Sequence, residues 1–198
     1  MNKKTKIIVA TIFAIILLGI GGFWFWNKNN NKIIQGKESD YRIADGRVSN
    51  SKAGFSYDIP QGWSAEKFDY AEGSVFLYSP GTQVEKNENG TVKFPIKEGC
   101  LIDVGVIYND QSVESLKVES LYFGKTIEVT TSSFEMLTVK GIPSLKYLFE
   151  SPYTGAANIV SIPKNEKVYS SAVYLPADGD VSQCLEDFGN FLETVSIK

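Results

Sequence analysis

Histidine is missing from all 198 residues, and that absence removes whole classes of chemistry. Ser-His-Asp and Cys-His nucleophile activation are excluded, together with the usual His-ligated zinc and iron sites. Cysteine is scarce as well. Cys100 and Cys184 are the only two, which leaves no CxxC motif and no thiolate cluster. No GxSxG element is present, and a Ser-Lys dyad stays open only because approach in space is invisible in a sequence. Glu186 and Asp187 are neighbours in a helical stretch and point about 100° apart, poor geometry for shared acid-base work. Asp178-Gly179-Asp180 resembles a fragment of a calcium loop, but the remaining ligands and the closing Glu are lacking, so helix capping is the better reading. The chemistry implies no enzyme, no cofactor and no metal.

Basic charge is also in deficit. Three of the 20 Lys and Arg residues, Lys3, Lys4 and Lys6, fall in the first 26 positions, so the rest of the chain sets 17 against 23 acidic residues, a net of −6. That balance argues against a nucleic-acid partner and against a polybasic lipid-binding surface, both of which need clustered cations. Repeats and Pro-rich or Ser-rich segments are absent too.

What is present begins with an uncharged run from Ile7 to Trp26. As a helix it would be about 30 Å long, the thickness of a bilayer's hydrocarbon core. It ends in Phe23, Trp24, Phe25 and Trp26, an interfacial aromatic belt and not a small-residue cleavage site. No Cys follows the run to accept lipid. Lysines outweigh on its N-terminal side, so the positive-inside rule puts residues 1–6 in the cytoplasm and the rest outside. The expected organisation is a transmembrane signal anchor over 7–26, a flexible polar tether over 27–52 and an extracytoplasmic domain over 53–198. A single-pass protein of the cell membrane is expected.

The two cysteines lie in the exported part, where an even count favours a disulfide. A Cys100–Cys184 bridge would close a loop that the chain-entropy model values at about 4–5 kcal/mol. A pair of free thiols with a redox task is the alternative.

Phe55, Tyr57 and Ile59 alternate with Ser56 and Asp58, a half-buried strand ended by Pro60 and Gly62. Further strands are expected at Val75–Tyr78, Val84–Lys86, Thr91–Phe94, Leu101–Tyr108, Thr126–Val129, Phe134–Val139, Leu145–Phe149, Ala157–Ile162 and Val168–Leu175. Leu101–Tyr108 is the most apolar and should be central. Asn89-Gly90 suits a hairpin turn, which explains the Asn89-Gly90-Thr91 sequon without glycosylation. Lys140-Gly141 is a second turn. A short helix is expected over Val113–Phe123, capped by Asp110 or Ser112. A longer one is expected over Val181–Val195, with Val181, Leu185, Phe188, Leu192 and Val195 on one face and Asp180 paired with Gln183 at its start. The sum is α+β, a mostly antiparallel sheet flanked by helices. Trp63 and Tyr57 could line a ligand groove, although an aromatic after a strand turn more often seals a core edge.

Three stretches in order resemble the PsbP-like domain family, whose fold also occurs in a nuclear-import factor that binds the Ran GTPase. They are Gly54-Phe55-Ser56-Tyr57-Asp58-Ile59-Pro60-Gln61-Gly62-Trp63, then Val139-Lys140-Gly141-Ile142-Pro143, then the terminal helix closing on Phe191-Leu192 and Val195-Ser196-Ile197. The resemblance covers about Ser51 to Lys198. It implies an αβα sandwich of about six antiparallel strands, used for binding or assembly and carrying no catalytic residues to transfer. Anchor and cysteine pair set this chain apart from photosynthetic members and suggest a membrane-anchored bacterial type. The expected function is a noncatalytic, membrane-tethered interaction or assembly module with a protein partner. The alternative is an extracytoplasmic binding protein for a lipid, glycan or small molecule.

Overall fold

Alternating and β-branched sequence dominates the chain beyond residue 40, and strands dominate the result. The computed structural model describes residues 40–68, 74–88, 92–107, 112–117, 130–177 and 181–198. The anchor expected over 7–26 lies outside them, and among the described residues no helix is long and apolar enough to cross a membrane. In chain order the strands are β1 (Tyr41–Ala44), β2 (Arg47–Asn50), β3 (Phe55–Asp58), β4 (Ser64–Phe68), β5 (Ser74–Tyr78), β6 (Gln83–Lys86), β7 (Val92–Glu98), β8 (Leu101–Ile107), β9 (Thr130–Val139), β10 (Ile142–Ser151), β11 (Gly155–Lys164), β12 (Lys167–Tyr174) and β13 (Ser196–Ile197). One helix, Ser182–Thr194, lies between β12 and β13, and residues 113–117 are helical.

Seven strands form the main sheet in the order β4-β5-β8-β12-β11-β10-β9, and every pairing among the described residues is antiparallel. Leu101 and Ile102 of β8 are fully buried between β5 and β12, as an apolar central strand requires. Two tight turns set the register of its long hairpins. Lys140-Gly141 joins β9 to β10 and Asn165-Glu166 joins β11 to β12, all four residues at positive φ, which matches the twist of the flanking strands.

A second sheet, β1-β2-β3-β13, packs over one face of the first together with the C-terminal helix. Val48, Phe55 and Tyr57 from this sheet, Leu77, Ile102, Val160 and Val173 from the main sheet, and Phe188 and Phe191 from the helix share one core cluster. The tether expected over 27–52 is corrected here. Residues 41–50 are a β-hairpin paired to β3, with Val48 opposite Tyr57 and Asn50 opposite Phe55. Its turn is Asp45-Gly46, a dipeptide suited to positive φ at both positions. Polar Asn50 is buried because its side-chain carbonyl accepts from the Ala53 N–H at 2.9 Å, closing the next turn.

The helix face departs from expectation at one position. Phe188 and Val195 are buried and Val181 and Leu192 pack against the core, joined by buried Cys184 and Phe191, while Leu185 is 39 % exposed. The disulfide selects this stripe: Cys184 is bonded to Cys100, with Cα atoms 5.8 Å apart, so the helix rotates to bring residue 184 against the start of β8. Asp180 of the expected Asp180–Gln183 capping pair lies outside the described residues; the helix has Val181 as its N-cap, and the Gln183 amide donates to Asp187.

Among the described residues, two smaller pieces cover the opposite face of the main sheet. The β6–β7 hairpin lays Val92 and Ile96 on Phe76, Tyr78 and Leu101. The helical residues 113–117 lay Val113 and Leu116 on Leu145 and Val168, and Ser112 caps them by accepting from the Ser115 N–H. Gly99, in the turn before Cys100, has φ +75, and a Cβ there would come within 2.6 Å of the Thr82 Cα. No side chain fits.

Candidate functional site

The strand β3 runs into Ile59-Pro60-Gln61-Gly62, and this turn meets the side of the C-terminal helix across a cleft of about 380 Å³. Its lining is Asp58, Ile59, Pro60 and Gln61 on one side and Asp187, Asn190, Phe191 and Thr194 on the other. Local bonds hold both walls. The Trp63 N–H donates to the Pro60 carbonyl and the Ile59 N–H to the Gly46 carbonyl, closing the turn. Thr194 Oγ1 accepts from the Asp58 N–H at 3.1 Å and donates to the Phe191 carbonyl at 2.8 Å, which joins the helix end to β3.

Both carboxylates are oriented by neighbours. Asp187 Oδ2 accepts from the Trp63 indole at 3.2 Å and its Oδ1 from the Gln183 amide at 2.9 Å. Asp58 Oδ1 accepts from Arg47 Nη1 at 2.6 Å, and Arg47 Nη2 also donates to Ser56 Oγ. The rim carries the exposed Gln61 and Asn190 amides, and the floor is apolar. The cleft therefore presents acceptors and an apolar base, with no cation among its lining residues. It can bind; no nucleophile sits beside a base in it.

Trp63 and Tyr57 are a correction to the expected groove. Tyr57 is fully buried and Trp63 is 8 % exposed, and neither lines the cleft. Tyr57 lies edge-on to Phe191, ring centroids 5.2 Å apart, and is stacked with Phe55. Trp63 supports the cleft from behind through Asp187. Burial raises the Tyr57 pKa well above 10.0, with Tyr41 and Asp103 adding to the shift.

Three serine–lysine pairs have the SxxK spacing, Ser49–Lys52, Ser64–Lys67 and Ser161–Lys164. None forms a dyad in this fold. Ser64 and Lys67, three positions apart on β4, point to opposite faces of the strand. The Lys52 ammonium pairs with Asp40 at 3.2 Å, and that of Lys164 donates to the Ile197 carbonyl at 2.8 Å. Among the described residues no group of three or more His, Cys, Asp or Glu could hold a metal ion. Asp178-Gly179-Asp180 and Asn89-Gly90-Thr91 lie outside the described residues.

A second, more open cleft of about 330 Å³ lies between β4, β5 and β6, crossed by the Lys86–Glu66 ion pair at 2.6 Å. Tyr78 lines it, and burial, followed by the Glu66 and Asp103 carboxylates, raises its pKa. Tyr174, on the same sheet face as Asp103, is raised by burial and then by Asp103.

Sequence reasoning missed Asp187 as a site residue, because its partner Trp63 is 124 positions away and only folding brings them together. The strand ending in Asp58 and the Pro-Gln-Gly turn were visible.

The architecture is similar to the solution structure of cyanobacterial PsbP (CyanoP) from Synechocystis sp. PCC 6803, at TM-score 0.53 and 10% identity, over 79% of this chain and 95% of that one. A crystal structure from Bacteroides thetaiotaomicron VPI-5482 aligns at TM-score 0.44 and 14% identity, over 83% of this chain and 49% of that one. No family model and no curated protein matches the sequence. The fold is PsbP-like, with seven strands where about six were expected and a four-stranded sheet sharing one outer layer with the helix.

Proposed function

We propose that the chain is a noncatalytic interaction or assembly module, held on the extracytoplasmic side of the cell membrane by residues 7–26, and that a protein partner docks in the Asp58–Asp187 cleft. The observation that carries the reading is the cleft itself. Its two carboxylates are fixed by Arg47, Trp63 and Gln183, its floor is apolar, and its rim amides are exposed. Pre-oriented acceptors around an apolar floor suit a Lys or Arg side chain flanked by an apolar residue of the partner. The PsbP-like fold and the lack of histidine point the same way. The cleft volume falls within the range of small-ligand pockets and favours a second reading, a small cationic or polar ligand.

The test is purification of the full-length protein in mild detergent under nonreducing conditions, beside a Gln61→Arg/Asn190→Arg variant. Both positions are exposed, so the fold should tolerate the change. A stoichiometric protein lost only from the variant supports the docking reading. A small molecule lost in its place supports the second, and identical profiles refute both.

A further inference from the structure

The second cleft, of about 330 Å³ between β4, β5 and β6, has walls held by bonds of their own. One wall is the turn from Ser79 to Thr82. The Cys100 N–H donates to Ser79 Oγ at 2.9 Å, and the Thr82 N–H donates to the Ser79 carbonyl at 3.1 Å. Cys100 is bonded in turn to Cys184, so the disulfide steadies this wall. The other wall is the turn at Gly62, where φ is +80 and a Cβ would lie 3.5 Å from Pro80 Cγ. Along the cleft, Ser64 and Glu66 of β4 share a sheet face with Tyr78 and Phe76, the β5 residues they pair with.

Tyr78 is the group in this cleft that the fold does not account for. It is 9 % exposed, and its buried hydroxyl has no hydrogen-bond partner among the described residues. Burial, and then the charge of the nearby Glu66 carboxylate, keep its proton in place, so it stands ready as a donor. A buried donor left unmade is costly, and a ligand oxygen would relieve that cost. Beside it, the Lys86 ammonium donates to both Glu66 oxygens, at 2.6 and 2.8 Å. The pair leaves one ammonium hydrogen and a further lone pair on each carboxylate oxygen.

We infer that this cleft is a binding site for a neutral hydroxylated ligand, a sugar of one or two rings. Among its lining residues one carboxylate and one ammonium are already paired, so it offers no net charge. An anion would have to compete with Glu66 for Lys86, and a cation with Lys86 for Glu66. A hydroxyl does neither. It donates to a Glu66 lone pair and accepts from Lys86 or Tyr78 while the pair stays whole. Pro80 and Val84 line the same cleft and offer an apolar patch to the C–H face of a ring, and the volume lies at the low end of small-ligand pockets. This site is separate from the Asp58–Asp187 cleft and does not depend on the protein partner proposed there.

The test is a titration of the full-length protein, in a detergent without a sugar headgroup, with maltose, cellobiose, lactose and chitobiose, followed by ligand-observed NMR. At least one should bind saturably with a Kd of roughly 1–10 mM. Tyr78→Phe should weaken that binding about 5-fold, with the urea midpoint confirming that the variant is folded, and exposed Glu66→Gln should weaken it as well. Gln61→Arg, in the other cleft, should leave it unchanged. The same disaccharide carried on a lipid in nanodiscs, compared with the soluble form, distinguishes a lipid-borne source from a free one. No saturation by either form up to about 50 mM would overturn the site. So would tighter binding of acetate or methylammonium than of any sugar, or sugar binding that both Tyr78→Phe and Glu66→Gln leave intact.

Discussion

The two faces of the main sheet are covered by different means. On one, a four-stranded sheet and a disulfide-fixed helix share a single continuous cluster, in which Phe55, Tyr57, Phe191 and Phe188 pack ring to ring. On the other, among the described residues, a hairpin and a short helical stretch cover two separate clusters, and the strand positions between them carry Asp103, Gly105 and Ser170. Continuous apolar burial resists opening, whereas small, separate clusters open locally at lower cost. The first face thus fixes the Asp58–Asp187 cleft, since both of its walls grow from that layer.

The sharpest test of this contrast is truncation on each side. Phe191→Ala should lower stability by about 3–5 kcal/mol in urea unfolding, and Leu116→Ala on the other face by about 2 kcal/mol. Equal losses would break the comparison. Replacing Cys100 and Cys184 together by Ser should cost about 2–4 kcal/mol, and the loss should appear in amide exchange of the C-terminal helix before the β6–β7 hairpin.

Alkaline pH probes both faces through their tyrosines. Tyr57, Tyr78 and Tyr174 are all raised above 10.0, so the folded state holds these phenol protons more tightly than the unfolded chain does. Their contribution is whole below pH about 10 and declines as pH rises beyond it. The urea midpoint should therefore fall above that pH, and Tyr57→Phe should soften the fall. At neutral pH the same change should be close to neutral, within about 1 kcal/mol, because the Tyr57 hydroxyl is buried without a hydrogen-bond partner. Leu185→Gln should shift stability by no more than about 0.5 kcal/mol, as its exposure implies.

Much of this was readable from residues alone, and the parts that were not share a cause. β3, β8 and β12 announce themselves by alternation or apolar content, and Lys140-Gly141 announces its turn. The β1–β2 hairpin resembles tether because residues 27–52 are polar, with an Asn29–Asn31 cluster and few large apolar residues, yet its polar Asn50 is buried as a turn acceptor. β4, Ser64–Phe68, carries Glu66 and Lys67 because it is an edge strand of the main sheet, where charge is tolerated. Leu185 fits the helical period, yet Cys184 decides the face, a constraint imposed by its bond to Cys100. The cleft was half visible, because Asp58 and the Pro60–Gly62 turn are local while Asp187 and Trp63 meet only through the tertiary fold.

The central claim is that the Asp58–Asp187 cleft receives a protein partner. A photo-crosslinking residue placed at Asn190 of the full-length protein in native membranes tests it most directly, with the same group at Lys93 on the opposite face as control. The account predicts one protein adduct from Asn190 that is absent from Lys93 and disappears when Gln61→Arg is added. Crosslinks to no protein, or the same adducts from both positions, would contradict it.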